Sequence, residues 1–86
     1  MTKNEFFLLR LSDIIYCALH SHYATSDTLN AMANISAMAH KGIDNFDIDS
    51  LAEFNNDTVS KIALEDVKRL IQRTEKLCIA GELKER

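Results

Sequence analysis

The chain has 86 residues, a formal net charge of −3 at neutral pH, no proline and only two glycines, and 47% of its residues are apolar. A chain this short forms one domain, 1–86, and can bury only about 60–65% of the surface that it exposes when unfolded. The slightly acidic charge gives no basis for nonspecific nucleic-acid binding, and the many apolar residues and few helix breakers exclude a disordered chain and predict an all-α one.

The first predicted helix spans about 2–22 and begins at a capping box. Thr2 and Glu5 lie three residues apart, so each side chain can satisfy the other's free backbone amide. The apolar residues that follow recur at three- and four-residue spacing, which predicts one broad apolar face.

The second predicted helix spans about 26–41, with Ser26 as its N-cap. Small residues dominate its sequence, so a neighbouring helix can approach closely and we expect this helix to be central. Lys41 in the last turn, Gly42 after it and the apolar Ile43 predict that the helix ends in a Schellman cap.

Residues 43–57 differ from the rest because they contain five acidic side chains and no basic one. Ser50 and Glu53 form a second potential capping box, which predicts a short helix near 50–55. The last main helix is predicted over 58–80, with Gly81 as its terminator. The short connections imply antiparallel neighbours, so we expect a small antiparallel helical bundle of three main helices and one short one.

Four consecutive apolar residues near the start of the chain, Phe6 to Leu9, point all around their helix. Three helices alone would leave some of them uncovered. We therefore predict a homodimer in which Phe6, Phe7 and Leu9 mediate self-association.

The acidic segment suggests a second interaction surface. Asp44, Asp47 and Asp49 alternate with Phe46 and Ile48. Acids that steer a partner and an aromatic anchor predict a partner-binding site at Asp44, Phe46, Asp47 and Asp49. The alternative is a solvated loop in which Phe46 and Ile48 fold back onto the bundle.

The potential chemical groups form no recognisable constellation. Cys17, His20, His22 and His40 lack the spacing of a metal site, and Cys78 lies in an apolar setting that disfavours a reactive thiolate. We therefore expect no enzyme, no metal and no cofactor. We also expect two free thiols in a cytoplasmic protein, because no signal peptide and no membrane-length apolar run is evident.

Residues 51–73 loosely resemble a helix-turn-helix motif. In that hypothesis Thr58, Ser60 and Lys61 would contact DNA, and Lys68 and Arg69 would contact phosphates. The acids immediately upstream would repel the DNA backbone, which weakens the hypothesis.

The sequence therefore favours a non-catalytic protein-interaction module. It would bind a larger protein as an inhibitor, an adaptor or a chaperone-like regulator, in a bacterium or one of its mobile elements. The alternative is a helix-turn-helix transcriptional regulator that uses residues 51–73.

Overall fold

Three α-helices make up most of the chain in the computed structural model, which describes residues 1–85 apart from the side chain of Asn55. They are α1 (Lys3–Leu19), α2 (Ser26–Ala39) and α3 (Thr58–Ile79). Two 3₁₀ segments, Ile43–Asn45 and Ile48–Asn56, lie between α2 and α3. The predicted all-α helical bundle is confirmed, and Arg86 of the predicted domain lies outside the described residues.

The start of α1 follows its sequence signal. The Thr2 hydroxyl accepts a hydrogen bond from the Glu5 N–H, and the Glu5 carboxylate accepts one from the Thr2 N–H, both at 3.1 Å. The same contacts lower the pKa of Glu5, mainly through the backbone N–H of Thr2. The N-cap prediction for α2 was wrong by one residue, because Thr25, not Ser26, has the extended backbone and the capping side chain.

The two glycines end their helices differently. At the end of α3 the Glu82 N–H donates to Leu77 O at 2.9 Å and the Gly81 N–H to Cys78 O at 3.0 Å, which is a Schellman motif with Gly81 at a φ of 80°. Gly42 has a φ of 98° and a ψ of 154°. Its N–H bonds to Ala39 O as in a Schellman motif, but the Ile43 N–H donates to Asn4 Oδ1 at 2.9 Å and not back to α2. The second bond of the motif is therefore absent, and the predicted Schellman cap at Gly42 is wrong.

The short helix near 50–55 exists in a different form. Residues 48–56 are 3₁₀, and Ser50 lies inside the segment, where its hydroxyl donates to Asp47 O at 2.7 Å. Because Ser50 is not at the start of this segment, the predicted capping box with Glu53 is absent.

Polar contacts at the helix ends define the directions of the helices. Lys84, beyond the end of α3, pairs with Thr2 at the start of α1, so these two helices are antiparallel. Asp57 at the start of α3 contacts Thr28 in the first turn of α2, so α2 and α3 run in the same direction. That pair departs from the predicted antiparallel arrangement, because residues 40–57 carry the chain back along the bundle.

The core lies where the three helices and the 3₁₀ segment 48–56 converge. Its largest fully buried apolar side chains come from all three α-helices, and they are Phe7, Leu11, Met32, Ile35 and Val67. The N-terminal half of α1 therefore faces a filled core, which leaves the C-terminal half of α1 as the less covered part of that helix.

Candidate functional site

An open groove of about 660 Å³ lies between the C-terminal half of α1 and the N-terminal half of α3. Three α1 side chains and five α3 side chains form most of its lining, and these are Ile14, Cys17, Ala18, Thr58, Val59, Ile62, Ala63 and Asp66. Ser21, in the connection after α1, also lines it. Tyr23 and Thr25, from the connection between α1 and α2, close one end. We call this feature the α1–α3 groove.

Small side chains on the two facing helices explain why the groove exists. Ala18 of α1 and Ala63 of α3 are both buried and both line the groove. An alanine side chain is only a methyl group, so at these two positions the helices contribute little volume to the space between them. The two helices therefore leave a trough with an alanine floor.

The rim of the groove is apolar and accessible. Ile62 is 60% exposed and Tyr23 is 81% exposed, and the Cys17 thiol is also exposed. Single exposed apolar residues are ordinary on protein surfaces, whereas a concave apolar cluster is typical of a binding site.

Asp57 organises the end of the groove next to α2. Its Oδ2 accepts hydrogen bonds from the Thr28 hydroxyl at 2.6 Å, the Ser60 hydroxyl at 2.5 Å and the Ser60 N–H at 3.1 Å. Its Oδ1 accepts one from the Thr25 hydroxyl at 3.3 Å. These donors, the Ser60 hydroxyl foremost, lower the pKa of Asp57, so its carboxylate is ionised at neutral pH.

The second carboxylate of the groove belongs to Asp66. It pairs with Arg69, one turn further along α3, at 3.1 Å. Both side chains are substantially exposed, so this pair is weak. Among the described residues that line the groove, two are acidic and none is basic, which gives the lining a negative charge.

The predicted partner site at residues 44–49 is only partly available. Asp44 forms an ion pair with Lys3 at 2.7 Å, and Phe46 is half-buried with its ring 5.5 Å from that of Phe7 in an edge-to-face arrangement. Asp47 and Asp49 are exposed. Phe46 therefore packs onto the bundle, as the alternative interpretation of this loop predicted, and is not a free anchor.

The prediction that Phe6, Phe7 and Leu9 mediate self-association is wrong for the two phenylalanines. Phe7 is 0% exposed and Phe6 is also buried, both within the chain's own core, and the Arg10 guanidinium lies 5.6 Å from the Phe6 ring centre. These two side chains cannot form a surface between copies of the folded chain. Leu9 alone of the predicted set is exposed.

The DNA-binding hypothesis loses one of its central residues. Ser60 is fully buried, and its hydroxyl donates to Asp57, so it cannot reach a base. Thr58 and Lys61 are exposed. The segment before α3 is a 3₁₀ helix, not the first α-helix of such a motif.

The cations expected to contact phosphates lie beside acids. Lys68 pairs with Glu65 at 3.6 Å, and Arg69 pairs with Asp66. Neighbouring carboxylates reduce the positive potential that phosphate binding requires. The face of α3 that carries these cations is therefore mixed in charge.

The described histidines and cysteines do not form a metal site. Within residues 1–85, no group of three or more His, Cys, Asp or Glu side chains could hold a metal ion. His20 stacks on Tyr16 with ring centres 4.0 Å apart and bonds to the Tyr16 carbonyl. No helix in the described part of the chain is both long enough and apolar enough to cross a membrane.

Most groove residues appeared in the sequence only as members of apolar helix faces. The contrast that could have singled them out is the pair of alanines, Ala18 and Ala63, among the larger side chains of those faces. That signal becomes meaningful only when it is known which positions of α1 and α3 face each other.

Comparisons with protein families, with curated proteins and with solved structures gave no significant match to this chain. The groove and its chemistry are therefore the basis for a functional proposal.

Proposed function

We propose that the protein is a non-catalytic interaction module that binds a larger protein through the α1–α3 groove. The observation that supports this is the groove itself, which has a volume of about 660 Å³ and alanines in its lining. An inhibitor, an adaptor or a chaperone-like regulator would each use such a surface.

The energetics favour a protein partner. Tight interfaces are anchored by a few large side chains that enter fully desolvated pockets. Ile62 and Tyr23 project beside the groove with 60% and 81% of their surfaces exposed, and full burial of one large apolar side chain contributes about 1.5–3 kcal/mol. A partner that covers Ile62 and Tyr23 and fills the space next to the alanines would gain binding free energy from both contacts.

A pair of matched variants tests this proposal. Ile62→Glu introduces a charge into the groove, and Ile79→Glu makes the same change on the same helix at a residue that is 88% exposed and outside the groove. Both variants should keep their stability within about 0.5 kcal/mol, since both side chains are exposed. Thermal unfolding followed by circular dichroism checks this.

The readout is affinity capture from the native host with mass spectrometry. A protein captured by the unmodified chain and by Ile79→Glu, but lost with Ile62→Glu, supports the proposal. Equal capture by all three contradicts it. A partner lost instead with the double variant Phe46→Ala and Asp47→Lys would place the binding surface at residues 44–49.

We also propose that the chain forms a homodimer, through the exposed side of α1. Leu9 and Tyr16 lie seven residues apart, on one face of this helix, and both are exposed. Sedimentation velocity at tens of micromolar should show a dimer that Leu9→Glu dissociates, and a monomer for the unmodified chain would rule the dimer out.

A further inference from the structure

We infer that the α1–α3 groove receives an amphipathic α-helix of the partner, oriented so that a Lys or Arg side chain of that helix meets Asp66. This inference rests on the proposed function and specifies the kind of segment that the groove binds. Three properties of the groove carry it: its walls, its floor and its charge.

The walls favour a helix over an extended peptide. They are formed by residues 14–18 of α1 and 58–66 of α3, which rise about 6 and 12 Å at 1.5 Å per residue. About two turns of a third helix fit along the α3 wall, and a helix laid between two antiparallel helices packs as in a helical bundle.

An extended peptide would lack partners for its backbone. Peptides bound in that form add to the edge of a sheet, but the described lining of the groove comes from helices, from the connection between α1 and α2 and from the cap residue Asp57, and it contains no strand. A helix satisfies its own backbone hydrogen bonds and needs only side-chain contacts, which an apolar groove supplies.

The floor selects the apolar face of that helix. Ala18 and Ala63 are buried side chains that line the groove, with Ile14 on the α1 wall and Ile62 on the α3 wall. A large aliphatic or aromatic side chain would occupy the space next to the alanines. A second such residue three or four positions along the same helix would cover Ile62.

The charge selects a basic flank. Asp66 is 45% exposed, and Arg69, its partner within the chain, is 74% exposed. A pair as exposed as this one is weak, so a Lys or Arg on a docked helix can share or replace Arg69. Asp57 adds a second negative charge, which its hydrogen bonds hold in the ionised form.

Synthetic peptides provide a direct test. The probe is an 18-residue amphipathic helix with leucine at one face and lysine beside it. A second peptide replaces each lysine with glutamate, and a third replaces each leucine with glutamine. Binding is followed by fluorescence anisotropy of a label on the peptide, with the full chain as the titrant.

Two charge variants separate a specific contact from general attraction. Asp66→Lys changes the groove, and Glu75→Lys makes the same change in net charge at an exposed residue of α3 outside it. We expect the lysine peptide to bind at least tenfold more tightly than the glutamate and glutamine peptides. Asp66→Lys should weaken that binding about tenfold, and Glu75→Lys should weaken it less than threefold.

The outcomes distinguish this inference from the proposed function. Equal binding of the lysine and glutamate peptides, equal effects of the two charge variants, or no binding of the lysine peptide would overturn the inference. If Ile62→Glu still abolished capture of a host protein, the proposed function would stand without it. A dimer that Ile62→Glu dissociates would also overturn it, because a second copy would then occupy the groove.

Discussion

The interface between α1 and α3 has two halves, and they differ in the size of their buried side chains. The half near the chain termini contains Phe7 and Leu11 on α1 and Val67 and Leu70 on α3, all buried in one core. The half near the start of α3 is lined by the buried alanines Ala18 and Ala63 and is open. Both halves are apolar, so the size of the facing side chains determines which half becomes core and which becomes a groove.

Polar contacts stabilise both ends of the bundle, so the open half is a defined part of the fold. At the terminal end, Lys3 pairs with Asp44 at 2.7 Å and with Glu85 at 3.0 Å, and these contacts raise the pKa of Lys3. At the open end, Asp57 links the starts of α2 and α3 through Thr28 and Ser60. These polar contacts therefore hold the helices around the groove in place.

The largest expected effect is in the closed half. Phe7→Ala removes a fully buried ring that packs edge-to-face on Phe46 and should lower the free energy of unfolding by about 3–5 kcal/mol. Leu9→Ala, at an exposed position two residues away, should change it by less than about 0.5 kcal/mol. Urea unfolding measures both, and similar losses would show that the face of α1 is assigned incorrectly.

The next effect concerns the polar contacts at the open end of the bundle. Asp57→Ala removes the N-cap of α3 and leaves the buried hydroxyls of Thr28 and Ser60 without their acceptor. We expect a loss of about 2–4 kcal/mol, combining a lost cap with unsatisfied buried groups.

Asp13→Ala is the control for this variant, because Asp13 is exposed in the middle of α1. Its unfolding midpoint in urea should match that of the unmodified chain. If Asp57→Ala were equally harmless, Asp57 would not be the link between α2 and α3.

A smaller effect distinguishes an alanine that lines the α1–α3 groove from an alanine that is buried in the core. Ala31→Leu enlarges a fully buried side chain of α2 outside the groove and should cost about 1–3 kcal/mol by overpacking. Ala63→Leu extends into the α1–α3 groove and should change stability by less than about 1 kcal/mol, since unfilled space receives the added atoms. Equal costs in thermal unfolding would mean that the groove is not open.

The smallest effect is a dependence on acidity. The pKa of Asp57 is lowered by folding, so its stabilisation is present above the unfolded pKa of about 3.9 and is lost as the pH falls through the lower folded value. Asp57→Asn retains a capping side chain without the charge. Its melting temperature should therefore fall less than that of the unmodified chain between pH 5 and pH 2, and parallel curves would contradict this role.

Some local features of the fold could be predicted from sequence because each depends only on a few neighbouring residues, whereas the end of α2 at Gly42 also depends on Asn4, a distant residue of α1. The capping box of Thr2 and Glu5 and the helix end at Gly81 are of this kind. The contact between Asp57 and Thr28 joins residues 29 positions apart. No local pattern encodes it, so the parallel course of α2 and α3 was not predicted.

The candidate site could not be predicted for a related reason. Phe6, Phe7 and Phe46 are prominent in the sequence, and large apolar side chains are the ones that a core buries first. The groove is lined instead by two small buried residues, Ala18 and Ala63, which lie on different helices, so their effect depends on how α1 and α3 pack.

The most direct test of the groove as the interaction surface is an amide chemical-shift titration of the ¹⁵N-labelled chain with the lysine peptide. Perturbations concentrated in residues 14–23 and 57–66, which line the groove, are the predicted result. Perturbations concentrated in residues 44–49, or spread evenly over the exposed acidic residues, would contradict the account.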